Sequence, residues 1–182
     1  MDPPTVYALG HSNRTLEEFL AILQAHGIEQ IADIRTVPKS RTVPWAHIDR
    51  LPDLLGEAGI QYTHIAELGG LRKPRPDSRN DAWRNLSFRG YADHMQTPAF
   101  EAGLQELLAF ARERPTAMMC AEAVPWRCHR SLVADALVAR GVPVIQVTSA
   151  TSAKPHAVTS FARIREGRVT YPSGPQQQRL PE

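Results

Sequence analysis

Short apolar runs that each close on a polar turn and lead into a helical pattern recur along the chain, and this alternation constrains the fold more than any other feature. Thr5-Val6-Tyr7-Ala8-Leu9 ends at Gly10 and reads as a first strand. Thr15 with Glu18 then makes a capping box, and Leu16, Phe19, Leu20 and Leu23 repeat at helical spacing until Gly27. Ile31-Ala32-Asp33-Ile34 supplies a second strand and Gln61 to Ile65 a third, with a weak helix from Leu51 between them, closed by Gly59. Thr97-Pro98 opens a helix whose apolar face is Phe100, Leu104, Leu107, Leu108 and Ala111. Thr116 to Met119 reads as a buried strand, Leu132 to Val138 as the helix after it, and Val144 to Val147 as a further strand.

Strands alternating with helices predict an α/β fold in three layers, a mainly parallel sheet with helices on both faces. Segments 160–164 and 168–171 flank Glu166-Gly167 and predict a C-terminal β-hairpin. Leu71 to Arg89 is charged and without periodicity, the pattern of a long excursion such as a lid or binding loop. The length of 182 residues suits a single domain, 1–182, ordered over about 5–172 and ending in a disordered tail, 173–182.

The stretch from Met118 to Arg130 carries the chemistry. Both cysteines lie in it, Cys120 and Cys128, together with Glu122, Arg127, His129 and Arg130. Right-handed crossovers bring successive strand ends to one edge of a parallel sheet. The polar groups after each strand are therefore expected to meet there: His11, Ser12, Asn13 and Arg14; Asp33, Arg35, Ser40 and Arg41; and the Cys120 loop. Ligands of α/β sheets bind at this edge, and helix starts beyond it attract anions.

Cys120 is the candidate nucleophile, because a thiol near a helix N-terminus and cationic side chains is ionised more readily. The competing reading makes it a small buried hydrophobe. Glu122 can act as general acid or base if Val124, Pro125 and Trp126 desolvate it, and His129 and His11 are further catalytic candidates. Ser12, Asn13, Arg14, Asp33, Arg35, Ser40, Arg41, Arg127 and Arg130 are candidates for binding substrate or anion, the arginines by bidentate contacts. Alternatively His129 and Arg130 cap the helix and pair with Asp135 or Glu122.

A cysteine-phosphatase loop is a poor fit. It needs cysteine and arginine about five residues apart, whereas Cys120 and Arg127 have six residues between them and Pro125 lacks an N–H. Zinc or iron binding by Cys120, Cys128 and His129, completed by His11 or Asp33, is an alternative use of the same residues, although no Cys-x-x-Cys pair is present.

Lys and Arg number 21 against 19 Asp and Glu, so the formal charge of +2 does not by itself imply nucleic-acid binding. Arg72, Lys73, Arg75, Arg79, Arg84 and Arg89 nonetheless crowd one segment, as a phosphate-facing wall or as a solvated loop. Trp45, Trp83 and Trp126 fall in loops, where an indole can stack on a base or ring, with burial against the sheet the expectation for at least one. No apolar run reaches the ~18 residues of a membrane span and no leader pattern opens the chain. A cytoplasmic protein with reduced thiols, no membrane partner and a small anionic ligand or nucleic acid as partner is expected. The cofactor and oligomeric state stay open.

Gly10-His11-Ser12-Asn13-Arg14, Asp33-Ile34-Arg35 with Pro38 and Ser40-Arg41, Leu68-Gly69-Gly70, and Cys120-Ala121-Glu122 through Cys128-His129-Arg130 together resemble the prokaryotic family catalogued as domain of unknown function 488. The resemblance extends from about Thr5 to Tyr171. It implies an α/β fold and a prokaryotic intracellular protein, and it carries no reaction.

Overall fold

The structure is a computed structural model that describes residues 2–174. Its main sheet has six strands: β1 (Val6–Gly10), β2 (Gln30–Asp33), β3 (Gln61–His64), β4 (Thr116–Cys120), β5 (Val144–Ser149) and β6 (Ser152–Pro155). They lie in the order β3-β2-β4-β1-β5-β6, all parallel except the antiparallel edge strand β6. The expected hairpin is present as β7 (Arg163–Arg165) paired with β8 (Arg168–Thr170), and Glu166 and Gly167 both take positive φ in its turn.

The helices are α1 (Leu16–Ala25), α2 (Leu51–Glu57), α3 (Leu86–His94), α4 (Pro98–Glu113) and α5 (Arg130–Ala139). Successive strand residues point to opposite faces, so the central strands divide their side chains between two cores. Leu9, Ile31, Ala117 and Met119 pack on Phe19 and Leu23 of α1 and on Leu51 and Leu55 of α2. Val6, Ala8, Ala32, Met118 and Cys120 face the other way, onto α3, α4 and α5. Burying each large aliphatic side chain contributes roughly 1.5–3 kcal/mol, and this two-sided burial holds the sheet in register.

Caps set the helix starts. Thr15 accepts a hydrogen bond from the Glu18 N–H at 3.1 Å, and Thr97 from the Phe100 N–H at 3.3 Å with Pro98 behind it. Two elements escape the sequence reading. Helix α3 begins inside the charged excursion, where Asn85 caps the Ser87 and Phe88 N–H groups. Strand β6 is mostly exposed and contains Lys154 and Pro155, both unfavourable in a sheet interior and tolerated at its edge.

Among the described residues no helix is long and apolar enough to cross a membrane. Of the expected tail, Ser173 is held by the Asp81 carboxylate through its N–H and hydroxyl, and 175–182 lies outside the described residues.

Candidate functional site

Strands β1, β4 and β2 are neighbours, and their C-terminal ends are level: Gly10 pairs with Cys120, and Asp33 with Met119. The turns beyond them are stitched together by the His11 N–H to Cys120 O and the Ser12 N–H to Ala121 O, each 3.0 Å, and the Ile34 N–H to Met119 O, 3.0 Å. Gly10 makes this approach possible, because a Cβ there would lie 1.6 Å from the Glu122 carbonyl oxygen.

At the centre is Arg130, whose large side chain is 0% exposed. Its Nη1 donates to Cys120 Sγ at 3.0 Å and to the Glu122 carbonyl at 2.8 Å, its Nη2 to the Ala123 carbonyl at 3.1 Å, and its Nε to Gln146 Oε1 at 3.3 Å. None of these acceptors is a carboxylate. A buried guanidinium without a counter-charge is costly, and the nearest group able to supply one is the Cys120 sulfur. Burial alone would push the Cys120 thiol up, but the neighbouring Cys128 thiol and the Arg130 guanidinium outweigh it and hold its pKa below the ordinary thiol value. Cys128 moves the other way, raised by its hydrogen bond to Cys120 and by burial, so it stays protonated. Both cysteines are free.

His129 is locked in place. Its Nε2–H donates to the Ile34 carbonyl at 2.9 Å, its Nδ1 lies 3.6 Å from Cys128 Sγ, and its ring packs on Tyr91 with centroids 4.9 Å apart. Burial pushes its pKa down to about 4, so the ring is neutral at neutral pH. His11 is likewise buried and its pKa lowered by burial. Its Nδ1–H donates to the Ser12 carbonyl at 2.8 Å, leaving Nε2 to accept from Arg35 Nη1 at 3.5 Å.

Asp33 is wholly buried and grips Arg35 at both oxygens, Nε to Oδ1 at 2.9 Å and Nη2 to Oδ2 at 2.6 Å, while the Tyr62 hydroxyl donates to Oδ2 at 2.6 Å. The carboxylate therefore aims Arg35. Arg35, Cys120, Glu122, Arg127, Cys128 and His129 all line one cleft of about 330 Å³. Glu122 and Arg127 stand exposed on its rim.

Other candidates lie elsewhere or are engaged. Arg14 ties β1 to β5 through the Gly10 and Thr148 carbonyls, 2.6 and 2.7 Å, and burial lowers its pKa. Ser12 and Asn13 bond to each other at 3.4 Å. The Ser40 hydroxyl accepts from the Val43 N–H, and Arg41 is exposed away from the cleft. The expected anion site at the start of α5 is also occupied by the chain itself: the N–H groups of residues 130–133 bond to Cys128 Sγ, to Cys128 O and, twice, to His129 O. Arg130, for its part, faces a thiol, an amide and carbonyls instead of Asp135 or Glu122 carboxylates.

Among the described residues no group of three or more His, Cys, Asp and Glu side chains is placed to hold an ion. Asp33 is engaged by Arg35 and Tyr62, and His129 Nε2 by the Ile34 carbonyl, while His129 Nδ1 faces Cys128 Sγ at 3.6 Å. Sequence reasoning missed Lys39, Phe88 and Tyr91, which also line the cleft, and named Gly70 only within the family motif. Lys39 adjoins the named Ser40-Arg41, and only its placement separates it from them.

Fold and site together define an α/β protein with a buried thiol–guanidinium pair at the C-terminal edge of a mostly parallel sheet. The family model described as domain of unknown function DUF488 matches residues 15–137, and the chain belongs to that family. The match covers Asp33, Arg35 and the whole Cys120 loop but starts after His11, a shorter span than the resemblance from Thr5 to Tyr171. Neither the curated proteins nor the solved structures give a match.

Proposed function

We propose that the chain is an enzyme that uses Cys120 as a nucleophile on a small phosphate-bearing substrate seated in the cleft. The observation that carries this reading is the fully buried Arg130 with Cys120 Sγ 3.0 Å from its Nη1 and no carboxylate among its partners. A guanidinium so placed favours the thiolate, the nucleophilic form. Arg35, held by Asp33, and the exposed Lys39 and Arg127 give the cleft a positive lining for phosphate. Glu122, on the rim and free to meet solvent, is the proton donor or acceptor of this scheme, since both ring nitrogens of His11 are engaged and the Nε2–H of His129 is given to the Ile34 carbonyl.

The competing reading is a non-catalytic binder of nucleic acid or an anion. The basic segment offers it limited support: Arg75 pairs with Asp77, while Arg72 and Arg89 bond to the carbonyls of Gly69, Trp83 and Asp81. The test is a turnover screen over sugar phosphates, nucleoside phosphates and short oligonucleotides with products followed by mass spectrometry. Cys120→Ser should abolish turnover and leave phosphate affinity within about twofold. Turnover that survives Cys120→Ser overturns the nucleophile.

A further inference from the structure

A second cavity, of about 640 Å³, opens on the β5–β6 side of the Cys120 loop. Its walls include Trp83, Pro125, Trp126 and Pro155, with Gln146, Lys154 and His156 as polar members. Trp126 is 71% exposed, unusual for the largest apolar side chain, and it sits in the three-residue 3-10 turn Pro125–Arg127. Its neighbour Arg127 lines the first cleft. Consecutive Cα atoms are about 3.8 Å apart, so the cleft and the cavity share this turn as a wall. We propose that the cavity receives the planar base of a nucleoside 5′-monophosphate whose phosphate lies in the cleft beside Arg35 and Arg127. The inference rests on the anion-binding reading of the cleft and names the substrate class for it.

Three observations favour this occupant. Indole faces are the surfaces on which nucleobases stack, and an exposed one at a cavity mouth gains burial only when a flat ring covers it. Lys154 forms no ion pair with a described residue, so its ammonium is available to donate to a carbonyl or ring nitrogen on the edge of a base. The polar members also connect to the thiol: Arg130 Nε donates to Gln146 Oε1 at 3.3 Å, Gln146 Nε2 to His156 Nδ1 at 3.1 Å, and His156 Nε2 to Asp135 Oδ1 at 2.7 Å. A base against Gln146 therefore touches the residue that orients the guanidinium beside Cys120.

Calorimetric titration of the full chain with the four nucleoside 5′-monophosphates, the matching nucleosides and ribose 5-phosphate tests the proposal. At least one nucleotide should bind about tenfold tighter than ribose 5-phosphate. Trp126→Ala, an exposed substitution checked for folding by circular dichroism, should erase that advantage and leave ribose 5-phosphate unchanged. Equal binding of nucleotides and ribose 5-phosphate overturns the base site while the phosphate cleft stands, and so does an advantage that survives Trp126→Ala. Nucleosides that bind as tightly as nucleotides, with loss in Trp126→Ala, keep the base site and overturn the phosphate cleft. No binding by any of these ligands overturns both.

Discussion

Arg130 Nη1 lies 3.0 Å from Cys120 Sγ, and both residues are shut away from solvent, with Cys120 at the wall of the cleft. The pair joins the head of α5 to the end of β4, so the group that orders the loop is also the group that tunes the thiol. The same guanidinium ties down the Glu122 and Ala123 carbonyls of the loop.

Alkylation of Cys120 by iodoacetamide, followed by peptide mass spectrometry, should therefore show a pH midpoint below the ~8.5 of a free thiol. Arg130→Met should raise the midpoint relative to the wild type, because burial is then opposed by the Cys128 thiol and the Glu122 backbone without the guanidinium. Arg130→Lys, which keeps the charge, should fall between the wild type and Arg130→Met. The sign carries over to stability. A thiol whose folded pKa is depressed stabilises the fold above its unfolded pKa, and this contribution fades as pH falls through the folded value. Cys120→Ser should remove that component from the pH dependence of the urea midpoint.

His129 gives a second pH signature, at lower pH. Its folded pKa is pushed down to about 4 by burial, against about 6.5 in an unfolded chain. The unfolded state therefore takes up a proton first as pH falls. Stability from the neutral ring is complete above pH ~6.5 and declines between there and ~4, by on the order of 3 kcal/mol. Urea titrations at pH 7 and pH 4.5 should show this loss. His129→Gln should show a smaller loss over the same interval, though lower stability at pH 7 because the ring's packing on Tyr91 is gone.

Gly10→Ala should be among the most damaging single substitutions in the protein. The added methyl would meet the Glu122 carbonyl oxygen at 1.6 Å and Arg130 Nη1 at 2.8 Å, and the first of these is backbone. The Cys120 loop must move away from β1, breaking the bonds from His11 and Ser12 to it. A loss of about 3 kcal/mol or more is expected, read by chemical denaturation. Gly56→Ala, with nothing within 4 Å of the added methyl, serves as the control and should not destabilise.

The sheet was legible because its central strands are apolar runs punctuated by Gly10, Gly27, Gly59 and Gly141, each at or near the end of an element. Helix α3 was not, although Phe88, Tyr91 and Ala92 stand at helical spacing, because Gly90 and Asp93 are poor helix formers and the stretch lies in a charged segment; Gly90 is needed where the Arg72 carbonyl passes 2.1 Å from its would-be Cβ. That close approach belongs to the tertiary structure and is not written in the sequence. At the site, the meeting of the His11, Asp33 and Cys120 turns follows from strand order and could be read in advance. Which arginines face outward could not. Arg14, Arg35, Arg127 and Arg130 look alike in sequence, yet one staples two strands, one is aimed by a carboxylate, one stands free and one partners a thiol.

Lys39 and Arg41 provide the sharpest test of that sorting. They are two residues apart, both exposed and both cationic, so a general electrostatic field would weight them equally. Only Lys39 lines the cleft with Arg35 and Arg127. Inorganic phosphate, titrated by following the shifts of amide resonances at Gly70 and Cys120, should bind about three- to fivefold more weakly in Lys39→Ala and in Arg127→Ala, the equivalent of about 0.7–1 kcal/mol per exposed contact. Both variants should show a shallower dependence on salt, since each removes a charge that salt would otherwise screen. Arg41→Ala should leave affinity within about 1.5-fold. Equal losses at all three positions would mean that phosphate senses the net charge of the surface and that the cleft does not select it.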